Sequence, residues 1–186
     1  MKPMPERPLD LSVPIDKLPK WVYLLSAVLF ALPAALYVLV YRVNDLLADV
    51  NFLILAVAFF VLIVAHEVVH ALGWKFAANL PWSALSFGIQ WKTLSPYCHA
   101  SVPMLVSPYR IGAVLPLIVT GILPYAVGFV LQDMTLVVLG ATMISAAVGD
   151  IFVLWTLRAI PSHAKVLDHP TNAGCMVMLG DEAMEE

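Results

Sequence analysis

The sequence predicts an all-α integral membrane protein with four transmembrane helices and a cytoplasmic β-hairpin-like loop between helices two and three. Three observations predict it. Of 186 residues, 61% are hydrophobic and only 12% charged, against about a quarter charged in soluble domains, and the mean hydropathy is +0.88. Four long apolar runs can each cross a hydrocarbon core of about 30 Å at about 1.5 Å per residue. Between the second and third runs lies an aromatic-rich stretch that alternates with the period of a strand.

Residues 1–20, rich in proline and charge, lack the apolar core and small-residue cleavage site of a signal peptide. They read as a retained, poorly ordered cytoplasmic tail. Span one covers residues 21–41, with aromatic residues at both ends and Pro33 in the middle, which predicts a kink that neighbouring helices accommodate. Residues 42–49 read as a short polar hairpin, and span two runs over about 50–74. In the long connection that follows, residues 84–91 and 97–102 form the two arms of the predicted hairpin around a turn at 93–95. Span three covers 111–131 and contains Pro116, Gly121, Pro124 and Gly128. Its prolines read as kinks, or as a way to open a gap for a substrate. Gln132 and Asp133 form a tight turn into span four, 134–157, whose interior carries one charged residue, Asp150. Residues 21–160 thus form one membrane domain, and 161–186 a polar cytoplasmic tail with Asp168-His169-Pro170 and an acidic end at 181–186. There is no internal repeat or low-complexity segment.

Four spans place both termini on one side. Lys2, Arg7, Lys17, Lys20, Lys75, Lys92, Arg110, Arg158 and Lys165 all fall on that side, and Arg42 alone on the other. The excess of Lys and Arg marks the cytoplasmic face, so both termini and the long loop are predicted inside. A formal net charge of −3 offers no basic surface for nucleic acid. Cys98 and Cys175 are too few and too far apart for a disulfide framework or a Cys-x-x-Cys metal site.

The second span runs without a break into His66-Glu67-Val68-Val69-His70. A charged group near the bilayer centre costs about 2.5–3.5 kcal/mol on insertion scales, so polar residues in such a helix call for a role. On a helix, residues four apart share a face, so His66 and His70 point to one place, with Glu67 about a quarter-turn away. This H-E-x-x-H pattern yields two zinc ligands and a general base, and a catalytic zinc takes a third protein ligand. Spans two and four run in the same direction, His66 lies eight residues before Trp74, and Asp150 lies eight residues before Arg158. The two residues therefore sit at one depth, roughly 12 Å below the cytoplasmic interface. His66, His70 and Asp150 form the expected metal set, with Glu67 as the catalytic base. Gly149 reads as a small residue that lets span four approach span two. Cys98 and His99 either ligate metal, touch substrate or serve as loop residues. With three ligands already found, they read as loop residues or support behind the ligands. His163 and His169 read as solvated.

Several motifs carry a resemblance. The His-Glu-x-x-His ending a span, the loop Tyr97-Cys98-His99, the run Tyr-Arg-Ile-Gly-Ala at 109–113, Gly149-Asp150, and Asp168-His169-Pro170 with the later Gly174-Cys175 resemble a prokaryotic family of membrane zincin peptidases. That family was long catalogued only as a domain of unknown function. It looks like a distant relative of the site-2 proteases, intramembrane metalloproteases that cut membrane-embedded segments, and the resemblance covers roughly residues 50–175. It implies zinc on His66, His70 and Asp150, with Glu67 as general base. In site-2 proteases the carboxylate precedes a glycine and an Asn-Pro lies nearby; here Gly149 precedes Asp150 and the sequence has no Asn-Pro. The expected function is intramembrane zinc-dependent proteolysis of a membrane-embedded or membrane-adjacent polypeptide at a prokaryotic cell membrane, with an extended substrate strand pairing at the hairpin's edge. The alternative from another class is a metal-binding membrane scaffold or sensor that hydrolyses nothing. A proton-coupled transporter is disfavoured by the few spans and the lack of repeat symmetry.

Overall fold

The computed structural model describes residues 8–42, 50–91 and 95–178. All of the predicted polar hairpin but Arg42, most of the predicted hairpin turn, and the acidic C-terminal cluster lie outside the described residues.

Among the described residues, four helices are long and apolar enough to cross a membrane: Lys20–Tyr41, Phe52–Ala77, Val106–Leu131 and Met134–Ala159. The first is α1 and the second α2, whose N-cap Asn51 accepts from the Ile54 N–H, satisfying an otherwise unpaired donor. The third begins five residues earlier than the hydropathy suggested. Its first segment, α3 (Val106–Pro116), carries Pro108 in the opening turn, where a missing N–H costs no hydrogen bond. A π-helical segment, Leu117–Ile122, then leads into α4 (Leu123–Leu131). Prolines at 116 and 124 bracket it, and each removes a rung of the hydrogen-bond ladder. The Gln132-Asp133 turn forms as expected: Gln132 adopts a left-handed φ of 57° and the Asp133 side chain caps α5 (Met134–Ala146). After Ala147 the fourth span resumes as α6 (Val148–Thr156).

Span four is the central column. Over its most apolar stretch 56% of residues are buried, against 6% for α2. The outer faces of the other spans show large apolar side chains such as Leu39, Leu53 and Phe60, exposed at 75%, 75% and 69%. Bare apolar surface on this scale fits a lipid solvent. Small residues set the close approaches: a methyl group on Gly73 would lie 2.7 Å from the Gly112 backbone of α3. Gly149 differs from its expected role, because a Cβ there would meet nothing within 4 Å. Helix packing does not require glycine at that position.

The all-α expectation needs correcting, because small antiparallel sheets cap one end of the bundle. The predicted hairpin is present, β2 (Leu85–Gln90) against β3 (Ser95–Ala100), with Phe87 opposite Cys98. A second sheet has four strands, β1 (Leu9–Asp10), β4 (Met104–Leu105), β5 (Lys165–Asp168) and β6 (Cys175–Met178), in the order β1-β6-β5-β4. The described parts of both tails are therefore ordered: Leu9 pairs with Val177, and the Leu11 N–H donates to the Cys175 carbonyl at 3.0 Å. Val166, Cys175 and Val177 of this sheet join Trp74, Val106, Tyr109 and Leu157 of the helices in one buried core. That core fixes the end of the bundle where α2, α3 and α6 meet.

Candidate metal centre

The end of α2, the π-segment of span three and the first turn of α6 converge on one point. Asp150 lies in that first turn, where the helix N-terminus favours negative charge. The break at Ala147 starts this new helix three residues before it. His66 Nε2 is 3.0 Å from Asp150 Oδ2 and His70 Nε2 is 3.2 Å from Asp150 Oδ1. One potential ligand atom from each of the three residues lies within 4.8 Å of the others. The depth match read from the spans thus brings together the three residues expected to meet.

The other ring nitrogens decide what the centre can hold. His70 Nδ1 is 2.9 Å from the Gly112 carbonyl oxygen, which only accepts, so Nδ1 carries the hydrogen. Thr120 Oγ1 donates to the Pro116 carbonyl at 2.8 Å, a bond a threonine makes back along its own helix. That hydroxyl therefore accepts from His66 Nδ1 at 3.2 Å. The neutral rings then turn two Nε2 lone pairs toward a carboxylate. Three acceptors converge without a donor among them, and the arrangement asks for positive charge: a proton on each ring or one divalent cation. Two imidazoles and a carboxylate suit zinc, and the 3.0 and 3.2 Å separations approach the edge of about 3.3 Å of a tetrahedron with bonds of about 2.0–2.1 Å. Thr120 and Gly112 supply the outer hydrogen bonds that orient metal-bound histidines.

His70 is also stacked on Trp74 at 5.5 Å, and Trp74 on Tyr109 at 5.5 Å. The Trp74 indole N–H donates to the Tyr109 carbonyl. His66 and His70 are 9% and 7% exposed, so the ligands sit at the floor of a cleft of about 450 Å³. Glu67 lines that cleft, with its carboxylate beside the backbone of Cys98 on β3. It does not join the three-residue cluster, as the quarter-turn offset predicted.

Sequence reasoning named His99 but missed Asp168 as its partner and Thr120 behind His66. His99, read as a loop residue or support behind the ligands, lies on β3 and lines the cleft with Asp168. His169 is also structured rather than solvated: its Nδ1 accepts the backbone N–H groups of Thr171 and Asn172. His163 is exposed, as expected. Cys98 and Cys175 are free and buried, and burial pushes each thiol up to about 12. The signal that could have found His99 was the strand alternation around it; no local pattern announced Thr120.

Helices long and apolar enough to cross a membrane bring two helical histidines and an aspartate together beside a cleft that a glutamate also lines, the donor set that metal-dependent hydrolases use. Comparison with known families is more specific: the chain belongs to the family described as "Putative zincin peptidase", whose sequence model matches residues 59–165. A zincin uses zinc, so the family implies that cofactor and supports a peptidase. No curated protein and no solved structure matches the chain significantly.

Proposed function

We propose that the chain is an intramembrane zinc peptidase that hydrolyses peptide bonds in or near the bilayer, with His66, His70 and Asp150 as zinc ligands and Glu67 as general base. The observation that carries this reading is that each Nδ1 faces an oxygen whose geometry suits an acceptor, Thr120 Oγ1 and the Gly112 carbonyl, while each Nε2 faces Asp150. It leaves two lone pairs and a carboxylate facing one another beside a glutamate in the same cleft. Zinc, when bound, supplies Lewis acidity toward a carbonyl oxygen and toward water.

The chain's own residues supply the rest. The Glu67 carboxylate lies beside the Cys98 backbone in the cleft; it has capacity for hydrogen bonds to water, through which Glu67 takes a proton from water and returns it to the departing amine nitrogen. The Trp74–Tyr109 stack behind His70 keeps that ring from swinging out. The substrate is a membrane-embedded or membrane-adjacent polypeptide, since the cleft opens at the end of a lipid-facing bundle. By the distribution of Lys and Arg that end and both termini face the cytoplasm of a prokaryotic cell.

Glu67→Gln tests the reading. The variant is expected to keep one zinc per chain while cleavage of a quenched-fluorescent peptide library falls by about 10²–10⁴-fold. Equal cleavage by variant and wild type rejects Glu67 as the base. Retained zinc with no cleavage by the wild type favours a metal-binding scaffold or sensor.

A further inference from the structure

Two motifs remain outside the metal centre, Tyr97-Cys98-His99 and Asp168-His169-Pro170, and they meet on one wall of the same cleft. His99 Nδ1 is 3.0 Å from Asp168 Oδ2, Tyr109 Oη donates to Asp168 Oδ1 at 2.8 Å, and the Ala100 N–H points to Oδ2 at 3.4 Å. Asp168 is 8% exposed, and its three neighbours are all donors. A carboxylate held in this way keeps a hydrogen on Nδ1, so that the neutral ring carries its lone pair on Nε2. Among the described residues His99 Nε2 has no partner, and the ring lines the cleft.

The strand sets the spacing. From one edge of β3 the Cys98 backbone faces the Glu67 carboxylate and the Ala100 N–H points to Asp168. Two residues along a strand span about 6.8 Å, so the Glu67 carboxylate and the His99–Asp168 pair stand within reach of one bound peptide segment. On that edge the donors are used up. A strand residue's carbonyl points to the same edge as its N–H, so the carbonyls of Cys98 and Ala100 face this way, and Pro96 has no N–H to offer. The wall therefore presents acceptors: carbonyl oxygens and the Nε2 of His99. Its complement is a row of backbone N–H groups on an extended, unwound peptide.

We propose that His99 is a substrate-binding residue whose Nε2 accepts a backbone N–H of the peptide in the cleft. Asp168 and Tyr109 act as positioning residues behind it. The cleft then selects against proline, or any N-alkylated residue, at the contacted position. This rests on the peptidase reading above and names what that site recognises.

The full-length zinc-loaded protein in detergent micelles, assayed with the quenched-fluorescent peptide library, separates the outcomes. His99→Asn keeps an N–H where Nδ1 stood but puts nothing at Nε2, whereas His99→Gln places a polar atom near Nε2 and gives up the bond to Asp168. Zinc content and thermal midpoint are checked in both. Substrate contact predicts that His99→Asn lowers kcat/KM about tenfold, chiefly through KM, and that His99→Gln stays within about threefold of wild type. N-methylation of the contacted amide is expected to cost the wild type about the same tenfold and His99→Asn nothing more. The reverse order, Gln worse than Asn, assigns the pair to structure alone and overturns the proposal, as does an N-methyl scan that affects both proteins equally. Cleavage that depends on Glu67 while both His99 variants match wild type overturns this proposal and leaves the peptidase reading standing. Cleavage indifferent to Glu67→Gln, or no cleavage at all, overturns both.

Discussion

At the scale of single residues, the proposed metal centre depends on two hydrogen bonds that no motif encodes. Thr120 holds His66 Nδ1 at 3.2 Å from the π-segment of span three. Thr120→Val removes that acceptor with little change in volume. Zinc affinity is expected to fall about 10–100-fold with helical content unchanged, as titration with a zinc-sensitive dye would read. His66→Ala removes a ligand outright, and elemental analysis of the purified variant should find the zinc gone. The cysteines give a prediction outside the membrane-spanning segments. Burial holds Cys98 and Cys175 up to about 12, from an ordinary value of 9.0. Above that ordinary value the unfolded chain loses thiol protons that the folded chain keeps. Stability contributed by these groups is therefore present below about pH 9 and is lost as pH rises toward 12. Native protein should also resist iodoacetamide at pH 8, since the thiolate is the nucleophile; rapid modification without unfolding would contradict the burial. The meeting of His66, His70 and Asp150 was legible because helical spacing and charge cost mark such residues in any apolar span. Thr120 was not, since a threonine in a membrane helix is ordinary until a histidine ring meets it.

At the scale of elements, the site is set by how closely α2 and α3 approach. Gly73 and Gly112 let the two backbones meet, and that proximity brings the Gly112 carbonyl to His70 Nδ1. Gly73→Ala puts a methyl group 2.7 Å from the Gly112 backbone. It should cost about 1–3 kcal/mol of stability through overpacking and weaken zinc binding as well; a variant with wild-type melting and wild-type zinc affinity would show that the helices have room to part. Hydropathy made the four spans and the Gln132-Asp133 turn visible, because a long apolar run and a turn with an N-cap are local signals. The early start of α3 was hidden by Pro108, Tyr109 and Arg110, which look like loop residues. In the structure Arg110 donates to the Leu157 and Ile160 carbonyls at the end of span four, satisfying acceptors that a helix C-terminus leaves open.

At the scale of the whole molecule, the four-stranded sheet was the least legible feature. β1 and β4 have two residues each, too few to show a period, and their partners are remote in sequence. Ser12 and Asn172 are bonded across the same junction at 3.1 Å, and Ile15 and Leu18 of the leading segment line the cleft. Removing β6 by ending the chain after Gly174 should release residues 8–19, and limited proteolysis there should become fast while the spans stay protected; an unchanged cleavage pattern would mean the leading segment is held by something else. The pairing of Leu9 with Val177 also orders events during synthesis. The strand that binds the leading segment is made after all four long apolar helices, so that segment has no β6 to pair with until they have been synthesised. Asp168, which sets the His99 ring, arrives equally late. During synthesis the chain thus carries His66 and His70 well before the strands that complete the cleft around them are made.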